Sequence, residues 1–214
     1  LVKRIASRGH EIASHGYGHR RITEMRADEF REDVRRSRQA LEDVSGEPVL
    51  GYRAPTVSLV PATAWAFDIL IEEGFEYDSS LFPIRRRGYG FPDANPDVHV
   101  LVRPSGRLLE IPMTTTVIAG LRLPAAGGGW FRQLPYALTR SGFLRCEAEG
   151  KPGMFYIHPW ELDPDQPRIP VPLLQRIRHY RGLGRMEDRL SRLLREVRFT
   201  SVRARFFEAH STAA

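Results

Sequence analysis

The sequence predicts an α/β protein whose parallel βα units curl into a partly closed barrel. Three observations predict it. Helical and strand-like segments alternate between residues 27 and 78, the order that yields a parallel sheet with helices packed on it. Polar residues stand directly after strand-like runs at His15, Arg53, Asp78 and His158, where barrel folds build their sites. Met154-Phe155-Tyr156-Ile157 is almost continuously apolar, as a buried parallel strand should be.

Taken in order, Leu1 to Gly9 reads as the last turns of an amphipathic helix ending at glycine. Ile12 and Ala13 step into a loop that ends Ser14-His15-Gly16-Tyr17-Gly18-His19. A helix is expected from about Ala27 to Val44, with Phe30, Val34, Leu41 and Val44 on one stripe and Gly46 and Pro48 stopping it. Residues 49–52 form a short strand that delivers Arg53, and Pro55 holds Ala54 extended. Thr63 to Glu73 reads as a second helix closed by Gly74, and residues 75–77 as a strand ending at Asp78.

From Pro83 to Pro104 the reading is loop, with the run Arg85-Arg86-Arg87-Gly88-Tyr89-Gly90 inside it. Tyr89 and Phe91 suit a sugar groove, because their rings stack on pyranose faces, although aromatic residues in loops more often cover the core. Residues 108–113 return as a strand, and Trp130 to Arg140 reads as one helix despite Pro135. Gly127-Gly128-Gly129 lacks the lysine and the strand-before-helix order of a phosphate loop, so a tight packing turn is expected. The tail from Pro170 is basic and helical, with Met186, Leu190, Leu193, Leu194 and Val197 on an apolar stripe.

The composition, 42% hydrophobic over 214 residues, suffices for a real core. The net charge of +6 comes mostly from arginines interleaved with acids, which reads as a solvated surface; no base-reading motif accompanies them, and no nucleic-acid partner is expected. Cys146 is the single cysteine, which excludes an intrachain disulfide and a thiolate metal cluster. No apolar run approaches the roughly 18 residues of a membrane span. Oligomeric state is not legible.

The chemistry gathers at two imidazoles. His15 and His19 have the spacing that lets two rings offer neutral nitrogens to one cation, and also that of a histidine-rich turn. Read from the residues alone, Arg53 is an inward arginine or a surface one, Asp78 a site residue or an Asx turn, and His158 a site residue or a capped surface histidine.

Together, Ser14-His15 through His19, Gly51-Tyr52-Arg53-Ala54-Pro55, Tyr77-Asp78-Ser79-Ser80 and Tyr156-Ile157-His158-Pro159-Trp160 resemble the polysaccharide deacetylases of carbohydrate esterase family four, the NodB-homology fold. The runs from Leu123 to Arg132 and from His158 to Arg168 resemble its exosortase-associated branch, which carries a C-terminal extension. The resemblance covers nearly the whole chain. It implies an irregular, partly open (β/α) barrel over 1–168, with 83–150 branch-specific, and a helical extension over 169–214. It implies a divalent metal, zinc by default, on His15 and His19. It makes His158 the general acid, has Arg53 orient a catalytic aspartate, and lets Asp78 bias His158 toward its protonated form. Tyr17, Pro55, Trp160 and Tyr89 are the implied substrate contacts, and the substrate is an N-acetylated polysaccharide in exopolysaccharide biosynthesis.

The family's opening aspartate pair, source of the third metal ligand and of the catalytic base, has no counterpart in this sequence. The expectation is therefore a chain lacking its first strand or strands, with that aspartate upstream and little activity as it stands. The competing class is a carbohydrate-binding or assembly module on the same fold. A bacterial cytoplasm and a cell envelope both remain open as locations.

Overall fold

The computed structural model describes residues 1–86 and 89–208. Arg87 and Gly88 of the arginine run, and residues 209–214 of the expected extension, lie outside the described residues. The chain forms two compact units, Leu1–Pro112 with the segment from Thr200, and Met113–Phe199. The expected boundary after Arg168 falls inside the second unit.

The first unit opens with helix α1 (Val2–Ala6) and reaches its main element at α2 (Ala27–Ser45). The start of α2 is secured by the Glu29 carboxylate, which accepts the Arg26 N–H at 2.9 Å, and its end by Gly46 at φ 75°. Phe30 and Val34 are fully buried, as the apolar spacing predicts. Val44 is not part of that stripe: it is 50% exposed, because the last turn of α2 runs past the core.

Four strands follow: β1 (Gly51–Tyr52), β2 (Tyr77–Asp78), β3 (His99–Arg103) and β4 (Gly106–Glu110). They lie in the order β1-β2-β4-β3, with β1, β2 and β4 parallel and β3 antiparallel at the edge. Helix α3 (Ala66–Glu72) provides the crossover from β1 to β2 and is shorter than expected, since Pro61–Thr63 is a separate 3-10 turn. Ser14 extends the parallel edge by one bridge: its N–H donates to Gly51 O at 2.8 Å and its carbonyl accepts the Arg53 N–H at 2.9 Å.

The expectation of loop throughout 83–104 is corrected by β3. His99-Val100-Leu101-Val102-Arg103 pairs residue by residue with β4 across a tight Pro104-Ser105 turn. Short alternation beside a turn is a strand signal, and the prolines around it masked that signal.

Register decides which side chains meet. Tyr52 pairs with Asp78 and Asp78 with Glu110, so these three share one face of the sheet. That face packs on the helices, where the Phe30 ring meets the Tyr52 ring edge-on at 5.7 Å. On the other face Tyr77 lies across Gly51, where an added Cβ would stand 1.9 Å from the ring. Arg203 ties the returning C-terminal segment to this unit, donating from its N–H to Glu11 at 2.8 Å and from its guanidinium to Pro48 O at 2.6 Å.

The second unit begins with a hairpin, β5 (Thr115–Ile118) and β6 (Leu121–Pro124), turned by Ala119 and Gly120, both at positive φ. Helices α4 (Gly128–Gln133) and α5 (Tyr136–Ala148) replace the single helix expected from Trp130. Pro135 ends α4 by holding Leu134 extended at ψ 162°. Residues 154–157 are not the expected buried strand either. Met154 makes one parallel bridge to Met113, and all four residues are half-buried. Their apolarity serves a helical core instead, where the Phe155 ring meets those of Phe131 at 5.1 Å and Phe143 at 5.8 Å.

Helices α6 (Leu173–Tyr180) and α7 (Met186–Glu196) complete this unit. Met186, Leu193 and Val197 enter the core with Phe131 and Phe143, whereas Leu194, expected on the same stripe, is 55% exposed.

Candidate functional site

The turn carrying the two histidines is built on Asp33. One carboxylate oxygen of Asp33, from α2, accepts the Tyr17 N–H at 2.9 Å and the other accepts the Gly18 N–H at 2.8 Å. Gly16 makes that approach possible. It sits at φ 76°, and a Cβ there would lie 2.8 Å from Asp33 Oδ2. His19 itself adopts φ 52°, a costly conformation for a non-glycine residue that surrounding structure must impose.

The rings of His15 and His19 stand 5.0 Å apart, edge to face. His15 Nδ1 is 2.7 Å from the Arg53 carbonyl. A carbonyl only accepts, so Nδ1 donates this bond, and in the neutral ring that leaves the lone pair on Nε2, the form in which imidazole binds metal. The two side chains therefore fit a divalent cation in donor chemistry. Among the described residues no group of three His, Cys, Asp or Glu side chains is placed to hold one.

Arg53 continues the edge. Its Nε donates to Ser79 O at 3.0 Å and its Nη2 to Ser79 Oγ at 2.9 Å, and Ser79 Oγ donates to Ile111 O at 2.7 Å. His15, Arg53, Ser79 and Ile111 thus form a hydrogen-bonded line across the C-terminal ends of the parallel strands. The guanidinium is the inward arginine of the two alternatives. Pro55 is buried, and the next two residues, Thr56 and Val57, both adopt positive φ.

Asp78 does not join this line. It is fully buried, and its carboxylate accepts from Ser80 Oγ at 2.6 Å and Ser80 N–H at 3.1 Å. Its register partner Glu110, also fully buried, accepts the Leu81 N–H at 3.0 Å and hydrogen-bonds Asp78. Burial raises both carboxyls above their ordinary range, Glu110 well above, where the neighbouring Asp78 charge adds to the effect. Glu110 Oε2 is buried without a partner as a carboxylate acceptor, and a proton held between the two acids would satisfy it. The Tyr52 hydroxyl, buried on the same face, has no hydrogen-bond partner among the described residues, and burial with the charges of Asp78 and Asp33 raises its pKa.

In the second unit His158 is exposed at the start of a 3-10 turn (Pro159–Leu162). Its carboxylate partner there is Glu161, which accepts the His158 N–H at 2.9 Å and lies 3.4 Å from Nδ1. Glu161 is fixed in turn by Arg132, Nε to Oε1 at 2.8 Å, with the two side chains only 1% and 2% exposed. Burial opposes ionisation of Glu161, but the His158 and Arg132 hydrogen bonds outweigh it and hold the carboxyl below its ordinary range. Arg132 Nη1 donates to the carbonyls of His179 at 2.9 Å and Arg181 at 2.8 Å, and Nη2 to that of Arg178 at 3.4 Å. The glycine run explains itself here, since a Cβ on Gly128 would sit 1.6 Å from Glu161 Oε2. Trp160 stacks between His158 at 5.7 Å and His179 at 4.3 Å.

Of the expected substrate contacts, Tyr17 is 50% exposed with the Arg36 guanidinium 3.8 Å from its ring centroid. Tyr89 is half-buried, its ring 6.3 Å from Phe82, which suits the core-covering alternative. Sequence reading missed Asp33, Ser79, Glu110, Arg132 and Glu161. Only Glu161 had a local signal, a proline at the first position of a turn with glutamate at the third.

Residues 1–68 match the polysaccharide deacetylase family model, and residues 79–206 match the domain of unknown function DUF3473. A peptidoglycan deacetylase of Helicobacter pylori (strain ATCC 700392 / 26695) is 32% identical over 80 residues, 37% of this chain and 26% of that protein. The solved Puue allantoinase superposes with TM-score 0.63 at 20% identity, covering 99% of this chain and 63% of that one, a likeness of fold. The Bc1960 peptidoglycan N-acetylglucosamine deacetylase covers 95% of this chain and 66% of its own, at 16% identity and TM-score 0.45. The chain spans about a quarter of the curated relative it matches. Its fold is the mixed α/β architecture of the NodB type, without a closed barrel among the described residues. By the match over residues 79–206 the chain belongs to the DUF3473 family, and through residues 1–68 it carries part of a polysaccharide deacetylase domain.

Proposed function

We propose that this protein is a metal-dependent hydrolase that removes N-acetyl groups from a polysaccharide, with residues 1–168 as the deacetylase portion and 169–214 as its extension. The observation that carries this reading is the line from His15 through Arg53 to Ser79, whose first two members lie in the segment that matches the polysaccharide deacetylase family and whose third opens the DUF3473 match. His15 and His19 are the residues that would hold a divalent cation, zinc by default; when bound, it would polarise the amide carbonyl and acidify a water.

The remaining roles belong to the chain. The Arg53 carbonyl orients the His15 ring, and the Arg53 guanidinium ties two strand ends together. His158 donates a proton to the departing nitrogen, and Glu161 beneath it positions the ring. Asp78, expected to bias His158, acts here through Ser80 and the strand end on which Ser79 sits. Tyr17, Pro55, Trp160 and Tyr89 are proposed as walls of the sugar groove, and exopolysaccharide biosynthesis as the setting. The competing reading is a non-catalytic carbohydrate-binding or assembly module.

The two separate on the protein expressed from its full reading frame. The enzyme takes up zinc stoichiometrically and releases acetate from an N-acetylhexosamine oligomer, and both properties fall in His15→Ala and His19→Ala. His158→Ala loses acetate release and keeps the metal. Oligosaccharide binding with neither metal uptake nor acetate release assigns the module instead.

A further inference from the structure

Between Asp165 and Glu187 the chain has no acidic residue and carries Arg168, Arg176, Arg178, Arg181 and Arg185. All five are exposed, and none pairs with a carboxylate among the described residues. This stretch contains α6, none of whose residues is buried. Leu173 is 60% exposed, Leu174 76%, Ile177 42% and the neighbouring Ile169 55%.

The arrangement around the helix is ordered. His179 turns toward its own unit, stacked on Trp160 at 4.3 Å with Nε2 3.0 Å from Gln166 Oε1. At about 100° per residue, Leu173, Ile177, Tyr180 and Leu174 form one stripe on the side away from His179 and Gln175. Arg176 borders that stripe on one side and Arg178 on the other. Arg168, Arg176 and Arg181 also rim a groove of about 500 Å³ floored by Leu173, Ile177 and Tyr180.

We propose that α6 is an interfacial helix that seats this unit on an anionic lipid bilayer. An apolar stripe flanked by arginines suits a surface whose acyl boundary takes the leucines and whose phosphates take the guanidiniums, with the long arginine stems lying along the apolar side chains. A soluble polyanion would satisfy the charge and leave the stripe in water. A protein partner would have to bring both an apolar groove and carboxylates for five arginines. This surface is independent of the catalytic reading.

The test is sedimentation of the full chain with vesicles of phosphatidylcholine alone and of phosphatidylcholine with phosphatidylglycerol, at low and high salt. Wild type should partition into the anionic vesicles at least about tenfold more strongly, and lose that preference as salt rises. Leu174→Asp, at a position too exposed to unfold the domain, should lose about tenfold. Arg176→Glu with Arg178→Glu should lose more than about twentyfold and flatten the salt response. Absence of sedimentation, equal binding to both vesicles, or wild-type binding by Leu174→Asp overturns the proposal. Binding to heparin that matches vesicle binding and ignores Leu174→Asp overturns it too, in favour of a soluble polyanion.

Discussion

Arg132 and Glu161 form an ion pair at 2.8 Å from which water is excluded on both sides, with the two side chains 2% and 1% exposed. Such a pair is costly to break, because either partner alone is a buried uncompensated charge. Arg132→Met should therefore destabilise the protein by about 3–5 kcal/mol in denaturant unfolding. Arg132→Met combined with Glu161→Leu should recover much of that loss. Glu161→Gln keeps the shape but leaves Arg132 uncompensated, so it should also lose stability. Under conditions where it stays folded, its kcat in an acetate-release assay should fall while KM holds, and Glu161→Asp should restore part of both.

Gly128 provides a second route to the same carboxylate. With Glu161 Oε2 only 1.6 Å from the position of an added Cβ, Gly128→Ala must displace Glu161 or the helix start. Its unfolding free energy should fall by several kcal/mol, at the upper end of what single substitutions do. Gly129→Ala, with open space at its Cβ, should be close to neutral.

The buried pair Asp78 and Glu110 makes stability depend on pH in a defined direction. Burial raises both carboxyls, so the folded state holds a proton that the unfolded chain releases. The stabilisation is complete below the unfolded value near pH 4.5 and is lost as pH climbs toward the folded value, by up to about 1.4 kcal/mol per pH unit. Glu110→Gln retains an acceptor for the Leu81 N–H and a donor toward Asp78 without any titration. Urea midpoints from pH 4 to pH 8 should show the mutant gaining on wild type as pH rises. Parallel curves would place the shared proton elsewhere.

Asp33 and Gly16 hold the histidine turn. Asp33→Ala leaves the Tyr17 and Gly18 N–H groups without their acceptor. Gly16→Ala meets both a positive φ and Asp33. Each should cost about 1–2 kcal/mol. Each should also weaken zinc binding about tenfold in a calorimetric titration, because the two rings lose their common geometry.

Arg53→Lys tests the line of strand ends. Lysine keeps the charge and cannot reproduce the two parallel bonds to Ser79 O and Oγ. The expected result is a 10- to 100-fold drop in kcat/KM with folding retained, measured by acetate release and thermal melting.

Much of this was legible residue by residue. Glycines at 46 and 74 end α2 and α3 where a left-handed cap is needed, and the 3.6-residue spacing of Phe30 and Val34 puts both in the core. The reading failed where apolarity was ambiguous. Met154 to Ile157 has a strand's composition, yet Phe155 finds its partners on α4 and α5, and a short apolar run does not say which neighbour it will meet. Proline masked β3, and it divided what read as one helix into α4 and α5.

The sequence by itself determined the α/β class, the parallel βα order, the paired histidines and the residues at the ends of β1 and β2, because periodicity, glycine and proline act over a few residues of chain. Only the tertiary structure decided that Asp33 clamps the histidine turn, that Glu110 is buried against Asp78, and that Arg132 fixes the carboxylate beneath His158. Those contacts join separate elements through sheet register and helix packing. A charge or an acid pair has no local pattern to announce it until folding removes the water around it.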